Sequence, residues 1–132
     1  MHRHILLLAL LLISITSNAL TEQYTLAYRN DPASSVVVGW SGDNGTVHYG
    51  LADFGTNFNA YPFSHASDRT GGAHNITRHF ARLTGLFPNT LYYFVIHDDS
   101  GNTSERFYFR TLSDDRNDPV SFISGGDTRD GF

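Results

Sequence analysis

Short runs of alternating hydrophobic and polar residues, separated by turn clusters, extend through most of this chain, and no stretch shows a helical period. The alternation predicts about seven β-strands between residues 21 and 112. The clearest runs are Gln23–Tyr28, Ser35–Trp40, Thr46–Gly50, Asn75–Leu83, Leu91–His97 and Arg106–Leu112. Residues 51–72 are irregular, and only Phe58–Phe63 is predicted to be extended among them. Strands of this length and spacing predict an all-β, antiparallel sandwich.

Alternation along the strands also predicts the core. Val36, Val38 and Trp40 fall on one side of their strand, and Tyr92 and Phe94 fall on one side of another. Trp40 is interpreted as a core residue that fills the space between the two sheets, because large aromatic side chains are usually buried. An exposed tryptophan that stacks on a ligand is the alternative interpretation.

A more specific pattern is the segment Leu86-Phe87-Pro88-Asn89-Thr90-Leu91-Tyr92. A leucine and a proline that lead through a corner into a strand opening with tyrosine are typical of a tyrosine corner. There the phenol hydroxyl bonds to a backbone group nearby and fixes the crossing between the sheets. Pro88 and Tyr92 are therefore predicted to be structural, and together with Trp40 they resemble a fibronectin type III domain.

The first nineteen residues have the pattern of a secretory signal peptide. A short cationic start precedes the apolar run Ile5–Ile13, and Ser17-Asn18-Ala19 provides small residues for cleavage after Ala19. A membrane anchor is the alternative, but the run is shorter than the ~20 residues that a span needs. Residues 1–19 therefore predict a secreted, extracellular protein, or a periplasmic one in a bacterium, without a membrane span.

A change of pattern near the C-terminus predicts a domain boundary. Residues 113–118 are polar and charged and are followed by Pro119, as in a linker. Beyond it, Val120-Ser121-Phe122-Ile123-Ser124 is largely apolar, as expected of a strand buried on both faces. We therefore expect one domain at residues 20–112, a linker at 113–118, and the start of a truncated α/β domain at 119–132.

Composition excludes several classes of partner. Removing Arg3 with the leader leaves eight basic residues against thirteen acidic ones, a formal charge of −5. All the basic residues are arginines, and none is expected to cluster into a stripe, so neither a nucleic-acid partner nor a polybasic membrane patch is predicted. Cysteine is absent, so the domain depends on its core for stability.

Other candidate sites are weaker. Three sequons begin at Asn44, Asn75 and Asn102, and in a glycosylating host Asn44 and Asn102 are the favoured acceptors because they lie in turn sequences. The five histidines outside the leader show no metal-ligand spacing, and the segment from Asp98 to Asn102 fits a hairpin turn better than a calcium loop.

Four blocks of sequence together resemble the front of a purple acid phosphatase. They are Val47-His48-Tyr49-Gly50, the run His79–Tyr93, Phe109-Arg110-Thr111 and Phe122–Asp127. In that family a fibronectin-like N-terminal domain precedes a metallophosphoesterase domain. The resemblance covers nearly everything from about Tyr24 onward, and the His79–Tyr93 block is its most specific part.

The resemblance implies a parent protein that hydrolyses phosphate monoesters with a binuclear site of iron plus zinc, manganese or a second iron. It implies that Asp127, which follows Gly126, is an iron ligand. Arg129 departs from the family, which commonly has Gly or His there. The later motifs Gly-Asp-x-x-Tyr, Gly-Asn-His-Glu and His-x-His have no counterpart in the 132 residues. The chain alone is therefore expected to bind no metal stably and to be inactive, because one carboxylate cannot hold two metals.

Two functional classes follow. In the first, the chain is the non-catalytic N-terminal part of a secreted metallophosphoesterase, and its partner is the missing catalytic domain. In the second, it is an independent secreted fibronectin-type binding or adhesion module. The first is favoured because an apolar strand at residues 120–124 without a sheet to join would be a liability.

Overall fold

The computed structural model of the protein describes residues 22–73 and 75–121. These residues form eight β-strands and one short 3-10 helix. In chain order the strands are β1 (Glu22–Ala27), β2 (Val36–Ser41), β3 (Gly45–Gly50), β4 (Phe63–Ala66), β5 (Arg69–Ala73), β6 (Ile76–Leu83), β7 (Leu91–Asp98) and β8 (Phe107–Arg110). The 3-10 helix, Phe58–Ala60, lies between β3 and β4.

The strands form two antiparallel sheets of four strands each. The first sheet has the order β1-β2-β6-β5, and the second has the order β4-β3-β7-β8. Within the first sheet Trp40 pairs with His79, and within the second Val47 pairs with Ile96. The predicted all-β, fibronectin type III-like sandwich is therefore confirmed. The predicted leader and the α/β start lie outside the described residues.

The core lies between the two sheets. Alternate residues of β2, β6 and β7 point into it, which is why the period-two pattern of these strands is so clear in the sequence. Trp40 is fully buried, and its indole N–H donates to the backbone oxygen of Asp43 at 2.9 Å. The buried cluster comprises Val36, Val38, Trp40, Val47, Ala81, Leu83, Leu86, Tyr92, Phe94, Ile96 and Phe109.

The stretch between β3 and β6 differs from the sequence-based expectation. The prediction that Phe58–Phe63 is extended is wrong for its first half, because Phe58–Ala60 forms a 3-10 helix, whereas Tyr61 is extended and Phe63 begins β4. This stretch also supplies two strands that the pattern did not predict, β4 and β5. Both lie at the edges of their sheets and most of their described side chains are exposed, so their sequences carry little hydrophobic alternation.

The connection between β6 and β7 has the geometry of a tyrosine corner. Tyr92 is buried, and its hydroxyl oxygen accepts a hydrogen bond from the backbone N–H of Phe87 at 2.9 Å. Pro88 lies between them, and its carbonyl accepts from the Thr90 hydroxyl at 2.7 Å. The corner is tied to the end of the domain, because the Asn89 N–H donates to the Leu112 carbonyl at 2.8 Å.

Candidate functional site

The outer side of the first sheet carries a group of arginines. Strand β6 directs His79, Ala81 and Leu83 inward, and its alternate residues Arg78, Phe80 and Arg82 lie on the outer side. Register places Arg69 of β5 opposite Phe80, on the same outer side. We call the surface formed by Arg29, Arg69, Arg78 and Arg82 around Phe80 the arginine face.

Phe80 is the centre of this face. The guanidinium carbon of Arg69 lies 4.3 Å from the centroid of the Phe80 ring, and that of Arg78 lies 6.0 Å away. Both are within the range of a cation–π interaction. The ring lies over Gly39 of β2, where an added Cβ atom would lie 3.0 Å from a Phe80 ring carbon and 2.6 Å from Thr25 Oγ1, so a larger residue there would require these side chains to shift.

A cavity of about 250 Å³ opens on the arginine face, lined by Arg29, Val37, Asp68, Arg69, Phe80 and Arg82. The Asp68 carboxylate accepts the Arg82 backbone N–H at 2.9 Å and lies 3.0 Å from Nε2 of His65. Burial raises the pKa of Asp68, but these two partners outweigh that effect and bring the pKa below its ordinary value of 3.8. Asp68 is therefore an anion already engaged with its own neighbours.

The arginine face corrects the expectation that no arginines cluster. Arg69 and Arg82 are far apart in sequence, and only the pairing of β5 with β6 brings them to one surface. Within residues 22–73 and 75–121, none of the four arginines forms an ion pair with a carboxylate within 4.0 Å. The sequence did contain one indication of this face. Arg78 and Arg82 flank Phe80 at even spacing on a predicted strand, which places all three on one side of it.

A second cluster covers the outer side of the other sheet. The Phe58 ring stacks on His97 with centroids 3.7 Å apart, and it meets the edge of His48 at 5.1 Å. Burial, and next the nearby charge of His97, lower the pKa of His48 below its ordinary value of 6.5. In the described part of the chain, no three His, Cys, Asp or Glu side chains are grouped so that they could hold a metal ion.

An apolar groove lies at the end of the domain where residue 112 emerges. It has a volume of about 300 Å³ and is lined by Tyr49, Phe63, Thr84, Gly85, Leu86, Phe87 and Tyr92. Phe87 is 63% exposed and Phe63 is 49% exposed, although both are large aromatic residues. The groove adjoins the chain exit, since the Phe87 carbonyl accepts the Thr111 hydroxyl at 2.5 Å.

The three sequons occupy different surroundings. Asn44 is exposed, and its side-chain oxygen accepts the Ser67 hydroxyl. Asn75 is also exposed and has a positive φ of 63° in the turn between β5 and β6. Asn102 is half-buried, and its amide nitrogen lies 3.2 Å and 3.3 Å from the two Asp98 carboxylate oxygens. This geometry leaves Asn44 and Asn75 the more accessible acceptors, and their glycosylation stays a prediction.

The predicted metal ligand Asp127 lies outside the described residues, as do the predicted signal peptide and Phe122–Ser124. Residues 113–118 contain no strand, and their role as a linker stays a prediction. Among the residues with described structure, no helix is long and apolar enough to cross a membrane.

These observations define the class of protein as an antiparallel sandwich of the fibronectin type III kind. The family model of the purple acid phosphatase N-terminal domain matches residues 21–111. The chain therefore belongs to the purple acid phosphatase family, of which it contains the N-terminal domain.

Two solved structures resemble the fold. One is the sensor domain of the anti-sigma factor RsgI4 of Pseudobacteroides cellulosolvens, 15% identical with a TM-score of 0.50, in a match covering 74% of this chain and 98% of that one. The other is the vertebrate-specific, perforin-like membrane protein Astrotactin-2, 15% identical with a TM-score of 0.51, in a match covering 72% of this chain and 22% of that one. At this identity both show the fold alone. No curated protein matches the chain.

Proposed function

We propose that this chain is the non-catalytic N-terminal module of a secreted phosphate monoesterase whose catalytic domain begins near residue 119. The family match over residues 21–111 is the observation that carries the proposal. In this proposal the module binds the catalytic domain of its own parent chain. It helps to wall the substrate cleft or contributes to a subunit contact.

The apolar groove supports an interdomain role. Exposed aromatic side chains rimming a groove are typical of interaction surfaces rather than of free monomers. The groove adjoins the point where residue 112 leaves the sandwich, so a domain that follows a six-residue linker is within reach of Phe63 and Phe87. Val120, at 63% exposure, is the beginning of the segment that we assign to that domain.

The chemistry of the parent rests on the second domain. We propose that Asp127 provides one carboxylate oxygen to iron in a site completed by a second iron, zinc or manganese. Hard, highly charged ions favour anionic oxygen ligands, and two metals together can generate a hydroxide and hold the phosphoryl oxygens. The residues needed to complete such a site are not among these 132, so the chain alone is proposed to be inactive.

An independent binding or adhesion module is the second candidate. The likeness of the sandwich to domains of an anti-sigma factor and of Astrotactin-2 shows that this fold occurs in proteins of other kinds. The two candidates make different predictions about the coding sequence after the Phe132 codon: the first requires an in-frame catalytic domain, and the second does not.

The test is to sequence independent transcripts beyond the Phe132 codon and to assay the purified chain with an aryl phosphate plus iron and zinc. The proposal predicts an in-frame continuation with Gly-Asp-x-x-Tyr, Gly-Asn-His-Glu and His-x-His motifs, and no turnover by the 132-residue chain. A stop codon on every transcript would favour the binding module. Turnover by the short chain would contradict the assignment of the chemistry to a second domain.

A further inference from the structure

The arginine face is positively charged, in contrast to the net charge of the whole protein. The sequence has a formal charge of −4, yet four of its nine basic residues surround one phenylalanine. Arg78 and Arg82 are four residues apart on β6, which is about 13 Å along a strand. Arg69 lies between them on the neighbouring strand, opposite Phe80.

These positive charges outnumber the carboxylates among them, although the charge of Asp68 interacts with that of Arg82. The charged residues that line the cavity are three arginines and one aspartate, Asp68. Asp68 already accepts the Arg82 backbone N–H and contacts His65, at 2.9 Å and 3.0 Å. Like charges in one recess repel each other, and an anion placed among them would relieve that repulsion.

The face is also partly preorganised. Phe80 is held against Gly39, and Arg69 stacks on the Phe80 ring at 4.3 Å. The N–H donors of a guanidinium lie in its plane, so a stacked arginine keeps them available at its rim. Arg78 is fixed on the other side, because one of its terminal nitrogens donates to Gln23 O and Thr25 Oγ1, both at 3.3 Å.

We infer that the cavity of the arginine face binds a phosphate group, either as inorganic phosphate or as a phosphate monoester. Arginine pairs well with phosphate because its planar fork can donate two parallel hydrogen bonds to two oxygens. The cavity of about 250 Å³ has room for the phosphate and the first part of an ester. Val37 and Phe80 provide the apolar part of its lining.

This binding is independent of hydrolysis, since every residue that carries it belongs to the sandwich. The test is isothermal titration calorimetry of the intact chain with inorganic phosphate and, separately, with phenyl phosphate, at pH 7 and constant ionic strength. We expect saturable binding with a dissociation constant of about 1 mM or tighter, as a few charge-assisted hydrogen bonds would give. The tighter of the two probes identifies the free ion or the ester as the source.

Amino-acid substitutions distinguish binding in the cavity from attraction of phosphate by the overall charge of the chain. Arg69→Gln and Arg82→Gln should each weaken phosphate binding about tenfold, because each removes a charged donor to the anion. Arg116→Gln is the matched control: it removes the same charge from residues 113–118, which do not line the cavity, and should change the affinity less than about twofold. Phe80→Leu removes the ring that positions Arg69 and should weaken binding by about threefold.

Three results would overturn the inference. The first is the absence of saturable binding of either probe to a chain shown to be folded by circular dichroism. The second is equal loss of affinity in Arg116→Gln and Arg69→Gln, which would mean that net charge alone attracts phosphate. Capture of an acidic peptide such as oligoglutamate, with no phosphate binding, would make the face a protein-docking surface and would likewise contradict the proposal.

Discussion

At the scale of single residues, buried polar groups tie the parts of this sandwich together. The Tyr92 hydroxyl and the Trp40 indole N–H bond to backbone groups outside their own strands, and the Thr111 hydroxyl, just after β8, bonds to the backbone of Phe87. Trp40 and Tyr92 each join a strand to a loop while their rings pack in the core, and Thr111 joins the segment after β8 to the corner before β7. The roles of Trp40 and Tyr92 could be anticipated from sequence, because a large aromatic and a corner motif indicate burial directly.

Tyr92→Phe should lower the free energy of unfolding by about 1–2 kcal/mol, because the Phe87 N–H loses its partner in a partly buried position. Urea unfolding followed by tryptophan fluorescence measures the change. Tyr108→Phe is the control: Tyr108 is 62% exposed, and its substitution should cost less than about 0.5 kcal/mol. Equal effects of the two substitutions would refute the role of the corner.

His48 predicts how stability depends on pH. Burial, and then His97, lower its pKa in the folded chain below 6.5, so the unfolded chain binds a proton more readily. The stabilising contribution of His48 is complete above about pH 6.5 and is lost as the pH falls through the lowered pKa. The midpoint of urea unfolding should therefore decrease between about pH 7 and pH 5.

The variant His48→Gln should flatten this part of the pH profile. Asp68 also has a lowered pKa. Its contribution to stability is lost only as the pH falls through a pKa below 3.8, which is outside the window from about pH 7 to pH 5. An unchanged slope in His48→Gln, or greater stability on acidification of the original protein, would show that another group is responsible.

At the scale of elements, the strands that fill the core are the predictable ones. β2, β6 and β7 alternate between a buried and a more exposed side or are largely buried, and their hydrophobic residues indicate this directly. β4 and β5 are edge strands held by backbone pairing, and the 3-10 helix is stabilised by the contact of Phe58 with His97. Neither kind of interaction appears as a local pattern, so the sequence alone did not indicate these elements.

The clustering of the arginines on one face could not be predicted from the sequence for a related reason. It depends on the register of β5 against β6, which places Arg69 opposite Phe80. Register between strands is set by their hydrophobic pattern and by turn geometry, and β5, whose described side chains are exposed, carries little such pattern. The existence of the sandwich could be derived from sequence, whereas the cavity on its outer side could not.

Two glycines on the outer side of the first sheet offer a matched test of how closely side chains pack over β2. Gly39→Ala places a Cβ 2.6 Å from Thr25 Oγ1 and 3.0 Å from the Phe80 ring, so it should destabilise the fold by about 1–3 kcal/mol. In Gly71→Ala the nearest atom is a Phe80 ring carbon at 4.0 Å, and stability should change by less than about 1 kcal/mol. Thermal unfolding of both variants measures the difference, and a Gly39→Ala variant as stable as Gly71→Ala would contradict the close packing of Thr25 and Phe80 around Gly39.

At the scale of the whole molecule, we propose that the chain consists of a sandwich that folds by itself and a C-terminal segment that belongs to a second domain. The core and all eight described strands end before residue 113. Beyond it the exposed Val120 begins the apolar run that we assign to a second domain.

Residues 20–112 expressed alone should therefore give a soluble, β-rich monomer, whereas residues 20–132 should associate more readily through the apolar run. Static light scattering at equal concentration compares the two chains. Val120→Ser in the longer chain should reduce its association. Identical scattering of the long and short chains would mean that the boundary at residue 112 is misplaced.

The most direct test of the central proposal is made on the protein in its native source. An antibody raised against residues 20–112 should capture a secreted polypeptide much larger than the 14.7 kDa of this chain. The captured polypeptide should hydrolyse an aryl phosphate and lose that activity when its metals are chelated. A captured protein no larger than this chain, without phosphatase activity, would contradict the assignment of the sandwich to a metallophosphoesterase.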